Sequence, residues 1–304
     1  MERIWLKEYP PGVPADIDLH EFASLKDILE KSCQRFADLP AYSNMGVTLR
    51  YRDIDRLSRD FGAWLQSLGL GKGDRVALMM PNVLQYPVAL FGALRAGLTV
   101  VNVNPLYTAR ELEHQLKDSG ASVIVIIENF AHTLQGLLNK TPVKTVVTTQ
   151  LGDLFPFPKR SIVNFVVKRV KKMVPPWRIP GAVPFRQTLG EGAKRTLIDV
   201  PLTHDDLAFL QYTGGTTGLS KGAMLTHGNM VANLQQAAAW VKPFAKLAEE
   251  IVITALPLYH IFSMTANCLT FMKVGGHNIL ITNPRDMPGF VKELSRIRFT
   301  VITG

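Results

Sequence analysis

Cysteine is scarce: the 304 residues hold only Cys33 and Cys268, far apart and in no metal-binding or redox spacing. That excludes a disulfide-stapled fold and a zinc ribbon, and leaves two reduced thiols of the kind found in cytosolic proteins. Charge is sparse too, at 19% of residues against 47% hydrophobic, which excludes a disordered chain. No long apolar run is present. The richest stretch, 86–103, is broken by Arg95 and Gly97 and is too interrupted to span a bilayer. The opening MERIWLKEYP has acidic residues and no continuous apolar core, so it does not read as a signal peptide. Acidic residues are missing altogether from 154–190, where Lys159, Arg160, Lys168, Arg169, Lys171, Lys172, Arg178 and Arg186 are all basic. Those eight nearly account for the net charge of +9. The near-neutral remainder argues against general nucleic-acid binding.

What is present is a rhythm of short β-type runs separated by helical ones. Residues 48–51 read as a strand entering a helix with Ile54, Leu57, Phe61 and Leu65 on one face. A turn at 69–74 (GLGKGD) precedes a strand at 75–80, and Asn82 reads as the cap of a helix running to about 96. Strands follow at 99–103, 122–127 and 145–148, with a helix at 110–119. The pattern resumes with a strand at 207–212, a helix from about 229, and strands near 251–255, 278–281 and 299–302. Buried strands alternating with helices imply an α/β fold with mostly parallel sheets, whose ligands sit beyond the carboxyl ends of the strands. Residues 151–201 interrupt the rhythm with Pro156, Pro158, Pro175, Pro176, Pro180, Pro184 and Pro201, and read as a basic connection between subregions 1–150 and 202–304. The last residues, 299–304 (FTVITG), form a strand pattern with no helix to cover it and read as a chain cut short.

The segment 211–222 (QYTGGTTGLSKG) follows an apolar strand and is dense in glycine and hydroxyl residues. Glycines let successive N–H groups turn toward one anion, and the lack of a Cβ permits close approach. Thr213, Thr216, Thr217 and Ser220 add hydroxyls and Lys221 a positive charge, a set suited to a polyphosphate. It is not a Walker loop, since Lys221 is followed by Gly222 rather than Ser or Thr, and it lacks the Gly-x-Gly-x-x-Gly order of dinucleotide folds. The bland alternative, an ordinary glycine-rich turn, does not account for so many donors.

Residues 210–221 (LQYTGGTTGLSK) resemble the signature of the AMP-forming, or adenylate-forming, ligase superfamily of acyl-CoA synthetases, luciferases and peptide-synthetase adenylation domains. Segments 73–77 (GDRVA), 94–121 and 256–264 (LPLYHIFSM) resemble core segments of the same superfamily. Segments 281–294 (ITNPRDMPGFVKEL) and 163–174 are most similar to bacterial long-chain fatty-acid–CoA ligases. The resemblance covers essentially the whole chain. It implies the large N-terminal domain of the adenylate-forming fold, incomplete and without the small C-terminal lid domain.

The implied reaction joins a long-chain fatty acid to ATP as acyl-adenylate with release of pyrophosphate, then transfers the acyl group to coenzyme A. ATP, Mg2+ and coenzyme A are the implied cofactors and co-substrates. The resemblance assigns phosphate orientation to Thr213, Gly214, Gly215, Thr216, Thr217, Gly218 and Lys221, with Tyr212, Leu219, Ser220, Gly222 and Ala223 completing the nucleotide-binding set. Catalytic roles fall to His260, Lys221 and Thr216. His260 follows a strand, where α/β ligands sit, and its imidazole suits charge stabilisation as the carboxylate attacks phosphorus. The other histidines, His20, His114, His132, His204, His227 and His277, lack such a context; His227 suits a helix start. Cys268, Phe271 and Met272 read as core. No metal ligand is expected within the chain, because the family's metal-binding glutamate, ribose-binding aspartate and adenylation lysine come later. The chain alone is therefore expected to adenylate poorly.

The stretch 161–174 (SIVNFVVKRVKKMV) sets Ile162, Phe165 or Val166, Val170 and Met173 or Val174 on one helical face and Lys168, Arg169, Lys171 and Lys172 elsewhere. A cationic amphipathic helix of this kind either lies on an anionic bilayer or packs its stripe on the main domain. Peripheral contact through 159–178 at the inner face of the cytoplasmic membrane is the expectation, with the protein otherwise cytoplasmic; a homodimer is an expected assembly. A medium-chain or aryl-acid CoA ligase, an acyl-AMP ligase, and a non-catalytic nucleotide- or lipid-binding module are the alternatives.

Overall fold

The structure, a computed structural model, describes residues 3–213 and 220–303. Twelve strands appear among them: β1 (Pro40–Asn44), β2 (Val47–Arg50), β3 (Arg75–Met79), β4 (Thr99–Asn102), β5 (Val123–Ile127), β6 (Thr145–Thr149), β7 (Val183–Pro184), β8 (Leu207–Thr213), β9 (Lys221–Thr226), β10 (Ile251–Thr254), β11 (His277–Leu280) and β12 (Val301–Ile302). They form a seven-stranded sheet in the order β7-β6-β5-β3-β4-β8-β9 and a five-stranded sheet in the order β12-β10-β11-β1-β2. Pairing is parallel except at β1–β2 and β8–β9. The expected α/β class with mostly parallel sheets is what the chain adopts. Each sheet draws strands from both sides of residues 151–201, since β1 and β2 pair into the sheet of β10–β12 while β8 and β9 extend that of β3–β7.

The seven-stranded sheet is apolar on both faces because its strands are apolar at consecutive positions. Val76 and Leu78 of β3 join one cluster, while Ala77 and Met79 join another. The first cluster also takes in helices α1 (Leu25–Arg35), α2 (Tyr51–Ser67) and α3 (Gln85–Arg95), with Tyr42 and Leu280 of the second sheet. These helices therefore lie between the sheets. Leu112 and Leu116 of helix α4 (Ala109–Ser119) cover the other face of the larger sheet. Helix Met287–Leu294 covers Ile253 and Ile279 on the outer face of the smaller one.

Within the helical layer α2 and α3 cross closely: a Cβ added at Gly92 would lie 2.8 Å from the Phe61 ring, so only glycine fits there. At this crossing Arg95 is fully buried and donates from Nη2 to Asp55 Oδ1 at 2.6 Å and from Nη1 to Asp55 O at 3.1 Å. Asn82 is not a helix cap. Helix α3 begins at Gln85, and Asn82 Nδ2 donates to Thr254 O and Leu256 O, each at 2.9 Å, while its Oδ1 accepts from Leu258 N at 2.8 Å. The side chain thus ties the end of β3 to the end of β10, a tie invisible in local sequence.

Candidate functional site

The two strands that flank the proposed phosphate loop, β8 and β9, pair with each other. Strand β8 reads apolar because it is central, paired with β4 on one side. On the other it pairs antiparallel with β9, bringing Thr213 opposite Lys221, Tyr212 opposite Gly222 and Gln211 opposite Ala223. The sequence pattern missed β9, whose residues are largely exposed. Gly214, Gly215, Thr216, Thr217, Gly218 and Leu219 lie outside the described residues. Thr213, Lys221 and Ala223 are exposed at the two arms, and Ser220 and Gly222 are half-buried. Tyr212 turns into the protein and donates from its hydroxyl to Asp118 Oδ2 at 2.6 Å. Burial and this partner push its phenol well above the usual tyrosine range.

His260 follows the carboxyl end of β10 in the second sheet, exposed, in the turn between that strand and the short helix Ile261–Ser263. Its side chain makes no hydrogen bond among the described residues, while its backbone N donates to Pro257 O at 3.0 Å. A chain of buried amides and hydroxyls holds this turn to the hairpin. Gln211 Nε2 donates to Tyr259 O at 3.1 Å, Asn102 Nδ2 to Gln211 Oε1 at 3.0 Å, and Tyr86 OH reaches Asn102 Oδ1 at 2.7 Å and Leu258 O at 2.9 Å. Two residues before the glycine-rich turn, the chain is therefore fixed to the residue before His260. The carboxyl ends of β4, β8 and β10 meet here, as the topology of parallel sheets requires of a ligand site. Tyr86, Asn102 and Gln211 were not singled out from sequence; the signal for Asn102 is a polar residue inside an apolar strand.

Beside Tyr259 a cavity of about 390 Å3 opens at the carboxyl ends of both sheets, with Ile127, Leu151, Pro257, Ile281 and Arg285 among the residues lining it. Its size falls in the range of small-molecule sites. Val167 and Met173 of the basic stretch also line it. That stretch is helical over Lys159–Phe165 and continues as a π-helical turn, Val166–Val170. Val167 is buried and Val163 packs partly against the first core cluster, whereas Ile162, Phe165, Val170 and Met173 are exposed. The stripe is thus not packed on the main domain, the second of the two outcomes weighed from sequence. Nor are the four charges equivalent. Lys168 Nζ donates to the buried carboxylate of Glu128 at 3.0 Å, and Glu128 Oε1 also accepts from Gln150 Nε2 at 3.0 Å.

Both thiols are buried, and burial pushes each up to about 12, so neither is a thiolate at neutral pH. Cys268 lies 3.0 Å from the Tyr42 hydroxyl, and with Met272 it belongs to the first core cluster. His227 opens helix His227–Val241, whose cap is Thr226, and its buried Nδ1 accepts from Leu25 N at 3.2 Å. Among the described residues no group of three or more His, Cys, Asp or Glu side chains converges as a metal site would. A magnesium ion held chiefly by substrate phosphates needs no such cage.

Residues 29–304 match the family model described as AMP-binding enzyme. A long-chain-fatty-acid–CoA ligase of Escherichia coli O6:H1 is 57% identical over 305 aligned residues, covering 100% of this chain and 54% of the relative. The corresponding ligase of Bacillus subtilis is 36% identical over 92% of this chain and 50% of its own length. The chain thus spans about half the length of the relatives it matches. Among solved structures, an anthranilate CoA ligase in complex with anthranoyl-AMP superposes with a TM-score of 0.78 at 18% identity, over 94% of this chain and 51% of that one. A likeness at that identity bears on the fold alone. With the family model matched over most of its length, the chain belongs to the AMP-binding enzymes.

Proposed function

We propose that this chain forms the phosphate-cradling side of an enzyme that activates long-chain fatty acids. The observation that carries the reading is the joining of the glycine-rich hairpin to the His260 turn through Gln211 and Tyr259. The names of the relatives agree with it. In the first half-reaction a carboxylate oxygen of the fatty acid attacks the α-phosphorus of ATP. The bond to the β-phosphate oxygen breaks, and pyrophosphate leaves with the electron pair. In the second, the sulfur of coenzyme A attacks the acyl carbon and AMP departs. Both steps depend on positioning and on neutralising phosphate charge. The hydroxyls of Thr213, Thr216, Thr217 and Ser220, the loop amides and the Lys221 ammonium hold the β- and γ-phosphates, and the His260 imidazole faces the reacting carboxylate. Magnesium bound to ATP would supply charge screening of the phosphates beside Lys221.

ATP–pyrophosphate exchange by the protein across acid chain lengths tests the proposal. Exchange that depends on long-chain acids and falls about 100-fold in Lys221→Ala is expected, the magnitude typical of removing one charge-stabilising group. Exchange with aryl acids but no fatty acid would sink the assignment.

The same proposal places residues 159–178 against an anionic membrane surface at the cytoplasmic side. The exposed Ile162, Phe165, Val170 and Met173, the adjoining Arg169, Lys171 and Lys172, and the lack of acidic residues from 154 to 190 support it. No helix among the described residues is long and apolar enough to cross a membrane. Co-sedimentation with anionic vesicles should weaken in Phe165→Glu and in Lys171→Gln/Lys172→Gln, and unchanged sedimentation counts against the contact.

A further inference from the structure

Helix α4 touches both arms of the hairpin. From its last turn Asp118 accepts the Tyr212 hydroxyl at 2.6 Å, on the arm that enters the turn. One helical turn earlier, His114 Nε2 donates to the Ser220 carbonyl at 2.9 Å, on the arm that leaves it. Residues at i and i+4 share a face, so a single helix surface grips the loop at both stems. The carbonyl must accept, which puts the proton on Nε2.

The helix is itself firmly placed. Thr108 and Glu111 form a capping box at its start, Leu112 and Leu116 are buried, and Gln115 Nε2 donates to Asn102 O at 2.8 Å. Asn102 is the residue that also holds Gln211. The arm β9, by contrast, is the edge of the sheet among the described residues. An edge arm lacks the pairing on its outer side that holds a central strand, so contacts from helix α4 supply restraint that the sheet does not.

We infer that His114 and Asp118 are positioning residues that fix the stems of the phosphate-binding turn. The inference rests on the reading of residues 213–222 as the phosphate site. Neither side chain needs to touch the nucleotide; each holds one stem, at Tyr212 or at Ser220, before ATP arrives. Loss of either bond spreads the stems, and ATP affinity falls while acid binding is untouched.

Hydrogen–deuterium exchange of the chain, without nucleotide, reads the stems directly. In His114→Ala and in Tyr212→Phe, amides of 213–222 should exchange roughly fivefold faster, the factor that one lost hydrogen bond supplies. His114→Gln, whose amide can still donate to the Ser220 carbonyl, should restore the slower rate. Peptides from β5 and β6 should not change. In ATP–pyrophosphate exchange by the protein, the alanine variant should raise the KM for ATP by a similar factor and leave the KM for the acid unmoved. Unchanged exchange at 213–222 in both His114→Ala and Tyr212→Phe overturns the inference, as does an equal rise throughout the sheet or failure of the glutamine to rescue. If ATP gives wild type no protection at 213–222, the phosphate-site reading falls instead, because the stem measurement is made without nucleotide.

Discussion

Replacing Asn82 by alanine should be among the most damaging single changes away from the hairpin. The side chain is buried and makes three hydrogen bonds, to Thr254 O, Leu256 O and Leu258 N, while its own carbonyl accepts from Thr282 Oγ1 at 2.9 Å. Alanine removes the first three and leaves Leu258 N without a partner, while Thr254 O keeps Ile281 N at 3.1 Å and Leu256 O keeps Ser263 Oγ at 2.8 Å. An unmade hydrogen bond at a buried group costs about 1–3 kcal/mol, and the lost second bonds to two carbonyls that stay satisfied add less, so the total is roughly 2 kcal/mol. Asn82→Asp tests the direction of the argument. A carboxylate can still accept from Leu258 N but faces two carbonyl oxygens it cannot satisfy, so it should be no better than alanine. Urea unfolding is the assay: the midpoint should fall at an unchanged slope. Because Asn82 sets the path of residues 254–258, the variants should also lose activity that depends on His260. A loss below about 1 kcal/mol in Asn82→Ala, within the range of ordinary substitutions, would refute the role of the tie between the sheets.

Lys168→Met should lower stability by about 3 kcal/mol, because it strands the buried Glu128 carboxylate, whereas Lys171→Gln/Lys172→Gln should stay within about 0.5 kcal/mol; paired thermal melts decide. Burial pushes His227 and His277 down to about 4. The folded state therefore refuses protons that the unfolded chain binds below about pH 6.5, and stability should fall as pH drops from there toward 4. Denaturant midpoints across that window should flatten in His227→Gln/His277→Gln, and an unchanged slope with pH contradicts the assignment.

Much of the frame was legible because burial dictates composition. β3, β5 and β6 sit inside a sheet covered on both faces, so they could only be runs such as VALM and VIVII. The arm β9 was not legible, since an exposed edge strand of mixed polarity carries no period to detect. Asn82 was misread for a different reason. A polar residue before a helical run looks like a cap, and nothing nearby shows partners 172 to 176 residues away. His114 was set aside as lacking context, because its context is the Ser220 carbonyl, 106 residues downstream. The glycine-rich turn and His260 were found by their chemistry, but their connection through Gln211 and Tyr259 needed the folded chain.

The interleaving of the sheets bears on how the protein is made. Asn44 of β1 donates to Leu280 O of β11, a partner 236 residues later in the chain. A ribosome adding about 5–20 residues per second needs roughly 10 to 50 s to deliver that partner. Over that interval the hairpin of β1 and β2 has emerged with one edge unpaired, exposing Ala41 and Tyr42, which the finished fold buries completely. A nascent chain in this condition is a substrate for holding chaperones, and crowding many such chains together invites edge-to-edge association. Yield of the folded protein should therefore respond to synthesis rate and chaperone supply more than to its final stability.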